Sequence, residues 1–347
     1  MLYSVLGTSG MRVSKLALGT ATFGVAPDEA EADRVIGAAL DAGVNLIDTA
    51  NAYGNLAHFD RPGVVPASER ASAEEIIGAC LEGRRDELII STKASERVGP
   101  DVNDRGLSRR HLVAQIDRSL RRLRTDHVDI FYAHHPDPDT PLEDTLMTLD
   151  DLVRSGKTRT YGLSTYPAWA SVHALWTADR RDLHPPVCLQ VRYSWVARQV
   201  ETEVVPAARQ FGLSLVVFSP LAGGLLTSAA SRERPYRGEA RWGGGAFTES
   251  QHAAARRLEG KAREWGCSTA QLALAWVLHR PTVATAVIGP ETPSELTEVV
   301  GAVELGAQLS PEQYREMDEI GATPVVDPRP RPPDAPPGRS EHRLSSN

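Results

Sequence analysis

Lysine is scarce in this 347-residue chain: only Lys15, Lys93, Lys157 and Lys261 of its 38 basic residues are lysines, and the rest are arginines. Cysteine is scarcer still. Cys80, Cys188 and Cys267 are odd in number, far apart and without metal-ligand spacing. They exclude a disulfide framework and a cysteine-held metal, and they fit a reducing cytoplasm. No apolar run approaches the ~20 residues of a membrane span, and the opening MLYSVLGTSG lacks the apolar stretch of a signal peptide. A basic surplus is also missing, since 38 Lys+Arg stand against 45 Asp+Glu, a formal charge of −7. That balance argues against nucleic acid or an anionic membrane as the main partner. No G-x-G-x-x-G occurs, and Gly156-Lys157-Thr158 fails as a P-loop because Asp151 stands where its first glycine belongs.

What is present is regular. Eight short strand-like runs, LALGT (16–20), VNLIDT (44–49), LIISTK (88–93), HVDIFYA (127–133), TRTYGLS (158–164), PVCLQV (186–191), LSLVVFS (213–219) and VATAVIG (283–289), alternate with amphipathic segments. In 108–123, Leu112, Ile116, Leu120 and Leu123 share one helix face, and 142–153 repeats the pattern with Leu142, Leu146, Leu149 and Val153. Thr140-Pro-Leu-Glu143, Thr292-Pro-Ser-Glu295 and Ser310-Pro-Glu-Gln313 read as capping boxes with Pro at the first helical position. Eight strands separated by helices imply parallel pairing, and eight such units predict an α/β fold, a closed (β/α)8 TIM barrel, over residues 1–321. Residues 2–15 read as an N-terminal β-hairpin covering the barrel floor. Long loops at 54–72 and 222–247 leave the C-terminal face, and seven prolines between Pro324 and Pro337 mark 322–347 as a mobile, Pro-rich tail.

A barrel of this kind places its chemistry at the C-terminal ends of its strands. Asp48 follows the second strand, with Tyr53 five residues on, Lys93 ends the third, and the fourth runs into His134-His135. Singly, each has a plainer reading as a turn, packing or surface residue. Together they form equipment for proton delivery. A free tyrosine, with a pKa near 10, is a poor acid at neutral pH, and a neighbouring ammonium lowers that value. A carboxylate keeps the lysine charged, and a histidine can hold a carbonyl oxygen beside the phenol. Adjacent residues on extended chain point opposite ways, so His134 and His135 are not read as ligands of a shared metal, and no metal site is assigned.

LALGTATFG (16–24), NLIDTANAYG (45–54), STK (91–93), DIFYAHHPDP (129–138), GKTRTYGLS (156–164), the Gln190 strand and FSPLAGGLL (218–226) together resemble the aldo-keto reductases of the bacterial branch, over roughly residues 1–320. The resemblance implies Tyr53 as general acid, Lys93 and Asp48 as its tuning pair and His134 as the carbonyl-orienting residue. His135, at a position where the family varies, receives no catalytic role. The resemblance also implies a nicotinamide dinucleotide held without a Rossmann domain. Gly19, Thr20, Ser219, Leu221, Gly223 and Gly289 would line its channel, Ser164, Thr165 and Gln190 would meet the carboxamide, and Phe218 would stack beneath the ring.

Two departures stand out. Many relatives have Ser-Asn where this chain has Ser164-Thr165. In GPETPSELTEV (289–299), where relatives carry basic residues for the 2′-phosphate of NADPH, this chain has Glu291, Glu295 and Glu298. Carboxylates repel a phosphate, so the reading is relaxed preference for NADPH or outright use of NADH. The expected reaction is reduction of a ketone or aldehyde of a small molecule, by analogy a keto-sugar or secondary-metabolite intermediate. The rivals are a nicotinamide-binding regulatory subunit with little turnover and an alcohol dehydrogenase working in the oxidative direction.

Overall fold

A computed structural model describes residues 1–57, 60, 62–234 and 246–321. Strands β1 (Tyr3–Val5) and β2 (Arg12–Ser14) pair antiparallel as a separate two-stranded sheet. Eight strands then close into a barrel: β3 (Leu16–Gly19), β4 (Leu46–Asp48), β5 (Ile89–Ala94), β6 (Val128–Ala133), β7 (Thr158–Ser164), β8 (Cys188–Arg192), β9 (Ser214–Phe218) and β10 (Val283–Ile288). Every neighbouring pair in the ring is parallel, and β10 closes it against β3. The crossovers are α1 (Glu29–Asp41), α2 (Ala73–Cys80), α3 (Arg109–Leu123), α4 (Leu142–Arg154), α5 (Ala168–Arg181) and α6 (Val204–Phe211). Between β9 and β10 lie α7 (Ala229–Arg232), α8 (Glu249–Glu264) and α9 (Thr269–Leu278), and α10 (Pro293–Gln308) and α11 (Pro311–Gly321) complete the described chain. The eight sequence runs thus become the eight barrel strands, as a (β/α)8 barrel with an N-terminal hairpin requires. None of the described helices is long and apolar enough to cross a membrane.

Side-chain alternation along each strand sorts residues between two cores. Leu16, Leu18, Ile47, Phe131, Leu189, Leu215 and Val217 face the helices. Ala17, Leu46, Ile130, Tyr132, Cys188 and Val216 face the barrel interior. Gly162 makes that interior possible: a Cβ there would lie 2.5 Å from Tyr132 Cε1 and 2.8 Å from Cys188 Sγ. Leu6 and Val13 join the interior cluster, so the hairpin plugs the floor as expected. By the same parity Asp48, Ser91, Lys93, Ser164 and Gln190 point into the barrel, above this apolar layer.

The helix starts correct part of the sequence reading. Ser310 and Gln313 exchange the bonds of a full capping box. Thr292 caps Glu295 N–H, but the Glu295 carboxylate accepts from the N–H of Glu291 instead of returning to Thr292. Thr140 does not cap α4 at all: the N-cap is Pro141, and Thr140 donates its hydroxyl to Asp137 Oδ2 at 2.7 Å. Asp137 wins because it also accepts the N–H groups of Leu107 and Asp139, joining the loops that follow β5 and β6. Complete boxes the sequence reading passed over cap α2, α8 and α9 through Ser72/Glu75, Thr248/Gln251 and Ser268/Gln271. The 222–247 segment is partly helical, since Ser228 caps α7. Residues 235–245 and the proline-rich 322–347 lie outside the described residues.

Candidate active site

At the mouth of the barrel, β4 and β5 run side by side with Asp48 opposite Ser91. Asp48 is held by three donors: Lys93 Nζ at 2.6 Å on Oδ2, and Ser91 Oγ at 2.7 Å and Gln190 Nε2 at 2.8 Å on Oδ1. Lys93, fully buried, also donates to the carbonyl of Thr49 at 2.7 Å. Its third direction leads to Tyr53 Oη at 3.5 Å, and the ammonium lies 4.9 Å from the centre of the Tyr53 ring. A buried ion pair without supporting hydrogen bonds is a poor bargain; here both partners have them.

The turn after β4 carries Tyr53 back over Lys93. Thr49 and Asn51 donate their N–H groups to the carbonyls of Ser91 and Lys93, and Tyr53 N–H donates to Ala50. Gly54 then takes φ +89, where a Cβ would fall 2.6 Å from Phe23 O and 2.8 Å from Ala73 N. Behind the turn, Arg122 donates to the carbonyl of Asn51 at 3.1 Å and to buried Glu74 at 3.3 Å. Glu74 also accepts from Thr92 Oγ1 at 2.6 Å, so its carboxylate joins α2, α3 and β5. Loss of water pushes the Glu74 pKa up, against the pull of those donors.

The ionisation pattern suits proton donation. Burial pulls the Lys93 ammonium down, but Asp48 and Tyr53 more than restore it, and the group stays charged. For Tyr53 the sequence argument is only half right. Lys93 does draw the phenol's pKa down, yet removal from water is the larger effect and the net shift is upward. Tyr53 is therefore a protonated donor at neutral pH. His134 has its pKa lowered well below 6.5, first by burial and then by His135 and Lys93, so its ring is neutral. The Tyr53 and His134 rings meet edge to face with centroids 5.9 Å apart.

His134 and His135 do not diverge, contrary to the sequence argument. Their rings stack at 4.6 Å, 11° from parallel. Strand β6 ends at Ala133, so the alternation rule no longer applies at the next two residues. Glu96, His134 and His135 consequently bring ligand atoms within 4.8 Å of one another.

The predicted cofactor residues ring the same mouth. Thr20 is buried and donates to Asp48 O at 3.1 Å. Ser164 ends β7, Phe218 ends β9, and Gln190 reaches from β8 with its amide N–H on Asp48. Thr165 and Ser219 adopt φ of +60 and +52, left-handed conformations that are uncommon for such residues and cluster at functional sites. The carbonyls of Ser219 and Leu221 accept turn bonds that fold the loop through Gly223, at φ +68. A Cβ on Gly289 would meet nothing within 4 Å, whereas one on Gly19 would lie 2.6 Å from Val287 Cγ1, so Gly19 serves strand packing. His134 Nδ1 is buried without a hydrogen-bond partner among the described residues. The open space at Gly289 and the orphaned His134 ring nitrogen fit a polar ring-bearing ligand.

Sequence reasoning missed two arginines. Arg70 is buried, donates to the carbonyls of Gly54, Val65 and Leu56, and pairs with Asp60 at 3.1 Å. It ties the 54–72 loop to the residue after Tyr53. His58, Phe59 and Arg61 of that loop lie outside the described residues. Arg234 lies 2.7 Å from Glu295 and 3.8 Å from Glu291, so the acidic patch has a cation beside it. Glu298 is exposed on α10. A lone arginine in a Gly- and Arg-rich loop carries no sequence signal for such pairing.

Residues 15–322 match the model of the Aldo/keto reductase family. The chain is 36% identical over 328 residues to YrpG, an uncharacterized oxidoreductase of Bacillus subtilis (strain 168), covering 92% of this chain and 96% of that one. It is 33% identical over 336 residues to a probable voltage-gated potassium channel subunit beta of Arabidopsis thaliana, with the same two coverages. The corresponding Oryza sativa subsp. japonica protein matches at 33% over 336 residues, again covering 92% and 96%.

Proposed function

The chain belongs to the aldo/keto reductase family, and from that premise we propose that it reduces an aldehyde or ketone of a small molecule with a nicotinamide dinucleotide. The observation that carries this reading is the buried Asp48–Lys93 pair directly beneath a protonated Tyr53. The bound reduced dinucleotide supplies hydride to the carbonyl carbon. Tyr53 supplies the proton to the carbonyl oxygen from its Oη. Lys93, kept charged by Asp48, stabilises the phenolate left behind. Neutral His134 offers the oxygen a ring N–H without adding a second cation beside Lys93. Ser164, Thr165 and Gln190 orient the nicotinamide end, and Gln190 at the same time fixes Asp48.

Arg234 is already engaged by Glu295 and Glu291. A 2′-phosphate would have to displace those carboxylates, so we propose that NADH is accepted at least as well as NADPH. Stopped-flow oxidation of NADH and of NADPH with a panel of aldehydes and ketones tests both parts. Rapid oxidation with NADH no worse than NADPH supports the reading, and a strong preference for NADPH overturns the cofactor assignment. Bound dinucleotide that is oxidised only very slowly would favour a regulatory role, the reading that similarity to channel beta subunits keeps open.

A further inference from the structure

Two neighbouring strand ends bring three metal-ligating side chains together. β5 and β6 pair through Ala94 and Ala133, and His134 N–H continues that ladder to the carbonyl of Ala94 at 3.0 Å. Glu96 follows β5 by two residues, and His134 and His135 follow β6 directly. One ligand atom from each lies within 4.8 Å of the other two. His135 Nε2 and Glu96 Oε1 are already 2.7 Å apart, and both side chains are partly exposed, which gives an ion a path from solvent. His134 is buried, and its Nδ1 has no hydrogen-bond partner among the described residues. A buried polar atom left unpaired is rare, and a bound ion is one of the few things that explains it.

We propose that Glu96, His134 and His135 bind one Zn2+ ion, and that the bound ion shuts off carbonyl reduction. The inhibitory half of this inference rests on the function proposed above; the binding half does not. Two imidazoles and one carboxylate are a donor set that zinc accepts, with its fourth position left to water. His135 also has the outer partner that a metal-bound histidine needs. With Nε2 on the ion, Nδ1 carries the ring proton and donates to Thr165 Oγ1, 2.9 Å away. A metal displaces any proton from the nitrogen it binds, so the site does not depend on which nitrogen carries one beforehand. Lys93, which would repel a cation, is neutralised by Asp48 at 2.6 Å. Bond lengths of roughly 2.0–2.2 Å set tetrahedral ligand atoms about 3.3 Å apart. The 2.7 Å contact between His135 and Glu96 must therefore widen to admit the ion, and the His134 ring, stacked on His135 at 4.6 Å, moves with it. Displacing a catalytic group by ~1 Å can cost about 10²-fold in rate. A ligated His134 thus no longer serves the carbonyl oxygen.

The test is calorimetric titration of Zn2+ into the full-length protein, stripped with a chelator and free of dinucleotide. Wild type should bind one equivalent more tightly than any further ion. His135→Phe, which keeps a stacking ring, and Glu96→Gln should each weaken that equivalent by about 100-fold or more, since changes to outer partners alone cost about 10–100-fold. Thr165→Val, which removes only the orienting hydroxyl, should weaken it by about tenfold. Co2+ in place of Zn2+ should give the visible bands of a four-coordinate ion in wild type and lose them in His135→Phe. Saturating Zn2+ should slow single-turnover reduction by wild type, and at the same concentration leave His135→Phe at its own metal-free rate. Equal Zn2+ affinity in wild type, His135→Phe and Glu96→Gln would overturn the site. Binding that leaves turnover unchanged would overturn the inhibitory role. A wild type that reduces no carbonyl would count against the function proposed above, while the calorimetry still decides the site.

Discussion

Asp48 and Lys93 were legible from the sequence because strand parity and strand ends are written in the order of apolar residues. The environment that tunes the ionisable groups was not. His134 shows the difference: its position follows from DIFYAHH, but its neutrality follows from burial and from His135 and Lys93 around it. Because its folded-state pKa is depressed, the unfolded chain takes up a proton first as pH falls. Its contribution to stability is complete above about pH 6.5, the ordinary histidine value, and is lost as pH falls through the folded value. Burial depresses His111 in the same direction. The melting temperature should therefore fall between pH 7.5 and pH 5.5, and His134→Gln should flatten part of that fall. An identical pH dependence in the variant would contradict the assignment. The four lysines, conspicuous by their rarity, are all engaged: besides Lys93, Lys15 donates to Val283 O, Lys157 meets Asp117, and Lys261 meets Glu264 and Glu316.

Among the elements, α2 and α3 hold the turn that presents Tyr53. Arg122 spans them, bonding Glu74 and the carbonyl of Asn51. Arg122→Met would leave the Glu74 carboxylate buried without its cation, which typically costs about 3–5 kcal/mol. Glu74 already has a raised pKa, first through burial. A buried carboxylate with a raised pKa destabilises the fold increasingly as pH climbs above its unfolded value of 4.5, up to the folded one. Denaturant titrations should show a deficit for Arg122→Met that is larger at pH 8 than at pH 5, together with slower turnover from a loosened Tyr53 turn. A pH-independent deficit would sink this account of the pair. None of this was visible beforehand, because Glu74 and Arg122 read as solvated helix charges until the fold brings them together. The missed cap on α4 has a similar cause: Thr140 answers to Asp137, whose other partners include a residue thirty positions earlier in the chain.

For the molecule as a whole, eight periodic runs and their helices made the barrel legible from end to end. The hairpin was legible as an addition, but not the depth of its plug. Leu6 is fully buried in the interior cluster beside Val13 and Leu46. Leu6→Ala should therefore cost about 2–5 kcal/mol in a denaturant melt, while a change below about 0.5 kcal/mol, the range of surface substitutions, would show that the floor is not sealed by this residue. Above that floor, one stack leads from apolar interior to buried ion pair to phenol, and the proposed chemistry depends on its last member. The most direct test is Tyr53→Phe, assayed for single-turnover oxidation of bound NADH or NADPH by an aldehyde that the wild type reduces. Loss of the general acid should slow that step by about 10²–10⁴-fold with dinucleotide affinity nearly unchanged. A variant that transfers hydride at close to the wild-type rate would contradict the account.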